Sequence, residues 1–429
     1  ISQSSGLGLD SMWTSCAAFG DFDRDGLLDL FRANYVYYPW VTTDTNNVPN
    51  GFAHRCDASA LWHNNGDGTF TDVTPSYALG DTGCGLATIF TDYDTDGDPD
   101  IWLANDFGAW ISPNVLFQNN GTSNPFSDVT QTANVSAAIY GMGFATGDYD
   151  HDLDPDYYIT NIGANLFHQN QGNGSFLETA ALNGTICDSV GSGGMATGWG
   201  TFFTDIDNDG WQDLFCANGH IQLIPILENS DRAPDRLYRN YGDGTFTDIG
   251  IAFGVGDSAR SRGASVCDFD QDGDPDIFVN VIVKDTLNDP DRSFLYRNDQ
   301  TTGNHYLAVR LEGVQSNRDA FGARMVISVN GERWMHEVQG GSSHMSQNSS
   351  IAHFGLGSAH TVDSLTIYWP AGGVQTYTNL AGDTLLHLRE DSLVTGLDPL
   401  RNINLAVYPN PFREEVRIRL YNGPDTVEN

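Results

Sequence analysis

The protein is a chain of 429 residues with 20 basic and 56 acidic residues, which gives a formal net charge of -36. This charge repels phosphate backbones and anionic lipid headgroups, so the composition argues against binding to nucleic acid or to a membrane surface. No run of about 20 apolar residues is present to cross a bilayer, and we therefore expect no membrane insertion.

From residue 21 onward, a nine-residue pattern, Asp-x-Asp-x-Asp-Gly-x-x-Asp, occurs five times. The copies, here called loops 1 to 5, start at Asp21, Asp92, Asp148, Asp205 and Asp268. Carboxylates at alternate positions, with a glycine for the sharp turn, place oxygen ligands around a hard cation, which favours calcium. The pattern predicts up to five bound Ca²⁺ ions.

The predicted ligands are the carboxylates at positions one, three, five and nine and the backbone carbonyl at position seven. They are Asp21, Asp23, Asp25, Leu27 and Asp29 in loop 1; Asp92, Asp94, Asp96, Asp98 and Asp100 in loop 2; Asp148, Asp150, Asp152, Asp154 and Asp156 in loop 3; Asp205, Asp207, Asp209, Trp211 and Asp213 in loop 4; and Asp268, Asp270, Asp272, Asp274 and Asp276 in loop 5. Loop 3 has Leu153 at the glycine position, so we expect it to bind calcium weakly or not at all. An EF-hand is excluded because no loop has the bidentate glutamate at position twelve.

The loops belong to a repeat, since their starts lie 71, 56, 57 and 63 residues apart. A β-rich segment follows each loop, and farther along come aromatic hairpin motifs such as LWHNNGDGTFTDV at residue 61 and LYRNYGDGTFTDI at residue 237. About four short antiparallel strands in each repeat is the anatomy of a propeller blade. The sequence therefore predicts an all-β protein with calcium in β-loop-β turns.

Two known families resemble this chain. Segments such as AAFGDFDRDGLLDLF and RGASVCDFDQDGDPDIF resemble the FG-GAP or VCBS-type repeats of integrin α-subunit propellers. FGARMVISVNGE, HFGLG and LTIYWPAGGVQ resemble pieces of the ASPIC/UnbV domain. The pairing is similar to the cartilage-acidic-protein-like group of secreted proteins, which implies a propeller fold and an extracellular location.

The resemblances divide the chain into propeller repeats over residues 1–304 and an ASPIC/UnbV-like segment over residues 305–390. The second part has enough candidate strands for two further blades or for a separate β-sandwich, and we expect a seven-bladed propeller. A linker over residues 391–404 precedes a short β segment over residues 405–429.

The C-terminal segment resembles the start of a type IX secretion sorting domain, which implies a bacterial protein at the cell surface or outside the cell. The matching residues are Val407, Tyr408, Pro409, Asn410, Pro411 and Phe412. Two strands alone are not stable, so we expect the segment to dock on its own propeller or to complete a sheet in another copy of the protein.

Eight Asp-Ser/Thr-aliphatic triplets predict O-glycosylation of the kind that bacteria with this secretion system use. The acceptors are Ser11, Ser189, Ser258, Thr286, Ser364, Thr384, Ser392 and Thr426. Among the six cysteines, Cys56 and Cys84 are the expected disulfide pair. Cys16, Cys216 and Cys267 are expected to be buried thiols, and Cys187 has no evident partner.

No catalytic motif is present, and the abundant carboxylates are assigned to calcium, so we expect no enzymatic activity. An insertion in the first repeat carries Tyr35, Tyr37, Tyr38 and Trp40, which could bind sugars or a protein partner. The favoured interpretation is that these rings pack on their own propeller. The sequence predicts an extracellular structural or adhesion protein with glycans, proteins or copies of itself as partners. The alternatives are a lectin and a polysaccharide-active enzyme.

Overall fold

The computed structural model describes residues 5–7, 12–121, 124–187, 194–221, 233–282 and 292–391. Within these ranges the chain is almost entirely β, with two four-residue helices, α1 (Ala180–Asn183) and α2 (Gly250–Phe253). No helix in the described ranges is long and apolar enough to cross a membrane. The prediction of an all-β fold is confirmed.

The first repeat forms sheet 1 and two small accessory sheets. Its strands are β1 (Thr14–Gly20), β2 (Asp29–Asn34), β3 (Val36–Tyr38), β4 (Val41–Thr43), β5 (Pro49–Phe52), β6 (Arg55–Cys56), β7 (Ala60–Asn64) and β8 (Phe70–Asp72). Sheet 1 has the antiparallel order β1-β2-β7-β8, and the insertion between β2 and β7 forms the pairs β3-β6 and β4-β5. A disulfide joins Cys56 to Cys84, as predicted.

Four further sheets repeat this plan. Sheet 2 contains β9 (Cys84–Thr91), β10 (Asp100–Asp106), β11 (Val115–Gln118) and β12 (Ser127–Asp128); sheet 3 contains β13 (Phe144–Gly147), β14 (Asp156–Ile159), β15 (Leu166–Asn170) and β16 (Phe176–Glu178); sheet 4 contains β17 (Gly198–Thr204), β18 (Asp213–Asn218), β19 (Arg236–Asn240) and β20 (Phe246–Asp248); sheet 5 contains β21 (Ser261–Cys267), β22 (Asp276–Val281) and β23 (Phe294–Tyr296). The strands follow one another in sequence order across each sheet.

Consecutive sheets pack face to face. A separate hydrophobic cluster lies between each neighbouring pair from sheet 1 to sheet 5. Between sheets 2 and 3, for example, the ring of Trp102 lies 4.7 Å from that of Tyr157. Because the second strand is covered on both faces, every residue of β10, β14 and β18 is buried. The first strands of successive sheets are in contact, which is the packing of consecutive propeller blades.

Residues 305–389 form a β-sandwich. Its strands are β24 (His305–Glu312), β25 (Arg324–Val329), β26 (Glu332–Glu337), β27 (Ala352–Gly357), β28 (Thr361–Tyr368), β29 (Val374–Ala381) and β30 (Thr384–Arg389). They make two sheets, β27-β24-β30 and β26-β25-β28-β29, with β24 and β30 parallel.

The two sheets of the sandwich share a single hydrophobic core, in which Leu307 and Phe354 of one sheet belong with Ile327 and Leu365 of the other. Two sheets that pack around one shared core form a sandwich. Consecutive propeller blades instead pack in a row, with a separate core between each neighbouring pair. The expectation of seven blades is therefore not confirmed, because the described residues show five blade-like sheets and a sandwich.

The connection between β26 and β27, residues 338–349, runs along the first strands of the blade-like sheets. The backbone of Ser343 exchanges two hydrogen bonds with that of Phe144 in sheet 3, with N···O distances of 2.7 and 3.2 Å. Its hydroxyl accepts from the backbone of Thr201 in sheet 4 and donates to the carbonyl of Ala264 in sheet 5. This segment ties the sandwich to the repeats.

Two of the three thiols that were expected to be buried differ from expectation, and the first of them, Cys16, is half-buried. Cys216 is buried as predicted, and so is Cys187, which the sequence had left without a partner and whose thiol donates to the side-chain oxygen of Asn218. Cys267 is exposed, so the prediction of a buried thiol was wrong there. Cys267 ends β21 of sheet 5, the last blade-like sheet, and is not covered by a following sheet.

Candidate metal centres

Each aspartate-rich loop connects the first strand of a blade-like sheet to the second. Loop 1 lies between β1 and β2, loop 2 between β9 and β10, and loops 3 to 5 occupy the same place in sheets 3 to 5. The five loops therefore stand in equivalent positions, in the β-loop-β setting that the sequence predicted.

The chain turns sharply inside each loop. The position-one carboxylate accepts a hydrogen bond from the amide of position six, at 3.0 Å from Gly26 in loop 1 and at 2.7 Å from Gly210 in loop 4. Position six has a left-handed backbone in all five loops, which glycine adopts without strain. Leu153 of loop 3 adopts it too, with φ of 73°, so this loop keeps the shape of the others despite its missing glycine.

The position-nine aspartate joins the loop to the third strand of its sheet. In loop 3 the carboxylate of Asp156 accepts hydrogen bonds from the backbone amides of Tyr149, at 3.4 Å, and Asn170, at 2.8 Å. The same pair of bonds forms in the other four loops. Position nine is therefore both a candidate ligand and a structural anchor.

Buried carboxylate oxygens without a hydrogen-bond partner lie at positions one and three. They are Oδ1 atoms of Asp21, Asp23, Asp92, Asp94, Asp150 and Asp207. Carboxylate oxygens of Asp148, Asp150, Asp152 and Asp156 lie within 4.8 Å of one another, as do those of three carboxylates in each of loops 1, 2 and 4. Buried anionic oxygens are costly unless they are paired or bind a metal, and an all-oxygen set suits calcium. The residues present therefore fit the predicted ion.

Burial and mutual repulsion raise the pKa of these carboxyl groups. Burial is the larger cause and neighbouring carboxylates add to it, so that the pKa of Asp21 rises to about 6, that of Asp92 to about 7 and that of Asp148 to about 8. The pKa of Asp205 in loop 4 is raised well above its usual value for the same reasons. A divalent cation among these groups would favour their ionised form.

A set of asparagines, which the sequence analysis missed, links each loop to the next sheet. Asn170 ends β15 in sheet 3, and its side-chain amide donates to the carbonyl of Tyr93 in loop 2 at 2.8 Å. Asn119, Asn240 and Asn298 make the equivalent bond to the loop of the preceding sheet. The signal was available, because every aromatic hairpin motif has an asparagine at this place.

The sandwich contacts the loops. The backbone amide of Asp92 in loop 2 donates to the side chain of Glu337 in β26 at 2.9 Å. The backbone amide of Met335 in β26 donates to the side chain of Asp148 in loop 3, also at 2.9 Å. At the position-four residue of loop 4, His353 lies 2.6 Å from the amide oxygen of Asn208. Residues of the sandwich therefore touch loops 2, 3 and 4, which no local pattern in the sequence indicated.

Comparison with known families agrees with this division. The model of the FG-GAP-like repeat matches residues 92–159 and 205–279, which include loops 2 to 5, and the model of the ASPIC and UnbV family matches residues 313–394. The chain carries FG-GAP-like repeats and an ASPIC/UnbV domain. The matched repeats thus include strands of blade-like sheets 2 to 5, and the β-sandwich is the ASPIC/UnbV domain.

Cartilage acidic protein 1 from two mammals is similar to most of this chain. The mouse protein is 23% identical over 412 residues, covering 82% of this chain and 60% of its own length. The human protein is 21% identical over 445 residues, covering 89% of this chain and 64% of its own length. This chain therefore spans less than two thirds of the length of these relatives.

Solved structures with partial similarity include an Agrocybe aegerita lectin that recognises non-reducing terminal N-acetylglucosamine. It has a TM-score of 0.36 and 16% identity, covering 68% of this chain and 74% of the lectin. A Bacillus licheniformis rhamnogalacturonan lyase has a TM-score of 0.35 and 12% identity, covering 77% of this chain and 57% of the lyase. Similarities at this level carry no argument about function.

The aromatic insertion of the first blade-like sheet is only partly packed. Tyr35 is largely covered and its hydroxyl donates to Asp106 at 2.6 Å. Tyr37, Tyr38 and Trp40 are 51%, 48% and 52% exposed, and the rings of Tyr38 and Trp40 stack with centroids 6.0 Å apart. The favoured interpretation, that these rings pack on their own propeller, was wrong for these three, because each exposes about half of its surface.

Three of the predicted glycosylation acceptors lie among the described residues. Ser258 is exposed in a loop, whereas Ser364 and Thr384 are half-buried in strands of the ASPIC/UnbV domain. Ser11, Ser189, Thr286, Ser392 and Thr426 lie outside the described residues, as does the sorting-like segment 405–429. Neither family match extends beyond residue 394, so the matches give no support to type IX secretion, which stays a prediction.

Proposed function

We propose that this protein is an extracellular structural or adhesion protein whose FG-GAP-like repeats are stabilised by bound calcium. The observation that carries the proposal is the set of buried Oδ1 atoms that have no hydrogen-bond partner, at position three in each of loops 1 to 4 and also at position one in loops 1 and 2. A protein outside the cell must stay folded there, and bound calcium would help it to do so. Extracellular calcium-binding modules have dissociation constants of about 10⁻⁴ to 10⁻³ M.

An extracellular location is supported by two features of the chain. The Cys56–Cys84 disulfide is typical of an oxidising compartment. The similarity to cartilage acidic protein 1 covers both the repeats and the ASPIC/UnbV domain. Attachment to a surface through the C-terminal segment, O-glycosylation and self-assembly remain further proposals, and Ser258 is the best placed acceptor because it is exposed.

Calcium would act on the fold through charge. In each loop it would bring together carboxylates that otherwise repel one another, and so hold the first and second strands of a blade in register. A ligand that binds only the folded state adds RT ln(1 + [L]/Kd) to the free energy of unfolding, which is about 2.7 kcal/mol for each site at 100 times Kd.

The proposal is tested by melting curves with calcium and with excess EDTA. We expect chelation to lower the melting temperature, and the Asp94→Asn variant of loop 2 to lose part of the calcium-dependent gain. Asp67→Asn is the matched control, because Asp67 is exposed in a hairpin and bonds only to Thr69 in its own turn. A wild-type melting curve that is the same in calcium and in EDTA would refute the calcium proposal.

The proposal includes no catalytic activity. The carboxylates that could act as a general acid and base face one another inside the loops, where calcium would keep them ionised. A polysaccharide-active enzyme would need such a pair open to a bound polymer.

The exposed aromatic insertion favours a second candidate function, the binding of a glycan or a protein partner. Tyr37, Tyr38 and Trp40 present about half of their surface to solvent on one short hairpin region. Aromatic side chains of this kind stack on sugar rings and anchor protein interfaces.

Binding to a glycan array before and after the double substitution Tyr37→Ala and Trp40→Ala tests this second function. We expect the double variant to lose the glycan signal while its melting curve stays close to the wild-type curve. Tyr241→Ala is the control, since Tyr241 is 52% exposed in another repeat. Equal glycan binding by the wild type and the double variant would remove this candidate.

A further inference from the structure

In or directly after the third strand of each blade-like sheet, a polar side chain lies against the loop of the same sheet. In every case the residue stands immediately before the asparagine of the aromatic hairpin motif and faces the position-three aspartate. The residues are His63 in sheet 1, Gln118 in sheet 2, Gln169 in sheet 3, Arg239 in sheet 4 and Arg297 in sheet 5. We call them the third-strand residues.

In loops 2 and 3 the third-strand residue is neutral. Gln118 Nε2 donates to Oδ2 of Asp94 at 2.6 Å, and Gln169 Nε2 donates to Oδ2 of Asp150 at 2.8 Å. In both aspartates the other oxygen, Oδ1, is buried without a partner. The amide therefore orients the carboxylate and leaves its full negative charge available to a cation.

In loops 4 and 5 the third-strand residue is cationic. Nη2 of Arg239 lies 2.5 Å from Oδ2 of Asp207 and 3.2 Å from Oδ2 of Asp209, so one guanidinium pairs with two candidate ligands of loop 4. Nη1 of Arg297 lies 3.9 Å from Oδ2 of Asp270 in loop 5, while its Nη2 pairs at 2.8 Å with Asp299, outside the loop. A fixed positive charge beside the ligands offsets part of their charge and repels an incoming Ca²⁺.

Arg239 does not fill the site of loop 4. Oδ1 of Asp207 stays buried without a partner, and carboxylate oxygens of Asp205, Asp207 and Asp213 lie within 4.8 Å of one another. The guanidinium and a calcium ion can therefore both contact the loop, on different oxygens. The expected consequence is a weaker site, not a lost one.

We infer that the third-strand residue sets the calcium affinity of its loop, so that the glutamine loops 2 and 3 bind more tightly than the arginine loops 4 and 5. For loop 3 this replaces the expectation of weak binding, because Leu153 keeps the backbone that glycine has in the other loops. This inference rests on the proposed calcium function and adds a ranking to it. When calcium is scarce, the arginine would still offset part of the carboxylate charge in loops 4 and 5. Loops 2 and 3 have no such positive charge, so the removal of calcium would destabilise them most. The protein would thus contain two classes of calcium site.

Calcium titration of the full chain by isothermal calorimetry tests the inference through two opposite substitutions. Arg239→Gln is expected to move one site from the weak to the tight class, with about a tenfold fall in its dissociation constant. Gln118→Arg is expected to move one site the other way by a similar factor. Arg297→Gln repeats the first change in loop 5, where the guanidinium is 56% exposed and its loss leaves little packing to disturb.

Two controls make the same change of charge away from the loops. Arg318→Gln removes a guanidinium that is 81% exposed and pairs with Asp319, and Gln131→Arg adds one at an exposed turn. Both should leave all the calcium constants within about twofold of wild type, since exposed charges at a distance are screened.

The outcomes separate the two proposals. Calcium constants that stay at the wild-type values in Arg239→Gln, Arg297→Gln and Gln118→Arg would overturn the ranking while leaving calcium binding in place. A wild-type protein that binds no calcium would overturn the proposed function and the ranking together. A tight site gained in Arg239→Gln and lost again on adding Asp205→Asn would assign the change to loop 4.

Discussion

At the scale of single residues, the aspartate-rich loops combine two kinds of carboxylate. The position-nine aspartates, such as Asp156, accept two backbone amides and hold the loop to the third strand. The position-three aspartates of loops 1 to 4, such as Asp94, keep a buried oxygen without a partner, as do the position-one aspartates of loops 1 and 2. Substitution at position nine should therefore harm folding, whereas substitution at position three should chiefly harm cation binding.

The linking asparagines are predicted to stabilise the contact between neighbouring blades. Asn170→Ala removes the bonds from the side-chain amide to the carbonyls of Tyr93 and Pro155, and it leaves these buried acceptors unpaired. We expect the free energy of unfolding to fall by about 1–3 kcal/mol. Denaturant unfolding measures it, with Asn173→Ala as the control because Asn173 is exposed and bonds only within its hairpin turn. Equal losses in the two variants would contradict the interblade role.

A buried histidine is predicted to make the fold sensitive to acid. His168 in β15 is 2% exposed beside Trp102, neither ring nitrogen has a hydrogen-bond partner, and burial lowers its pKa to about 4. Between pH 6.5 and 4, His168 takes up a proton in the unfolded chain but stays neutral in the folded protein. Its contribution to stability is thus present above pH 6.5 and is lost as the pH falls, by about 1.4 kcal/mol for each pH unit.

Unfolding by denaturant at several pH values checks this expectation. His168→Phe should flatten the dependence of stability on pH between 6.5 and 4, relative to wild type. His360→Gln, at an exposed position, should leave the slope as it is. A His168→Phe variant with the wild-type slope would show that this histidine does not carry the effect.

At the scale of elements, the blade is the repeating unit, and each blade depends on its neighbours. The second strands β10, β14 and β18 are buried on both faces, so they need a sheet on either side. The first repeat departs from this plan through its insertion, which forms β3 to β6 and carries the exposed rings of Tyr37, Tyr38 and Trp40. An insertion between two strands of a blade is therefore the simplest way to add a binding surface to this fold.

The disulfide that anchors this insertion is predicted to stabilise the first two blades. Cys56 in β6 and Cys84 at the start of β9 are 28 residues apart, so their bond restricts a long loop of the unfolded chain. Replacing both by alanine should lower the free energy of unfolding by about 2–4 kcal/mol. Denaturant unfolding of the double variant measures this loss. A wild-type protein whose stability is the same with and without reductant would contradict the prediction.

At the scale of the whole molecule, the repeats and the ASPIC/UnbV domain form one connected structure. Residues 338–349 bond to the first strands of the blade-like sheets, including the backbone bond of 2.9 Å from Phe19 N to the carbonyl of Gly340. Glu337 of β26 accepts hydrogen bonds from Thr91 and Asp92 of sheet 2. The domain is thus bonded to the loop face of the repeats and to their first strands.

This arrangement predicts that the repeats and the ASPIC/UnbV domain unfold together. In the presence of calcium, differential scanning calorimetry should show one transition. Gly340→Val should lower its temperature, because a Cβ at Gly340 would lie 2.1 Å from the carbonyl oxygen of Phe19. The substitution Gly331→Val is the control at a turn where a Cβ meets nothing within 4 Å, although its left-handed backbone adds some strain. Two well-separated transitions in the wild type would contradict the prediction.

The sequence by itself determined the features that depend on residues close together in the chain. The spacing of aspartates fixed the five loops, and the aromatic hairpins fixed the strands around them, because turn geometry and strand alternation are local. The pairing of Cys56 with Cys84 was also foreseen. Even Leu153 in place of glycine did not change the loop, since its neighbours impose the same backbone.

Only the tertiary structure decided the features that join distant parts of the chain. Asn170 bonds to a carbonyl 77 residues away, and Ser343 bonds to strands of three different sheets. Local patterns gave the strands of residues 305–389, but sandwich and blades use the same strands and differ in which faces share a core. The sequence also did not show which side chain lies beside each position-three aspartate. The effect of that side chain on calcium depends on a contact across the sheet, which no local spacing specifies.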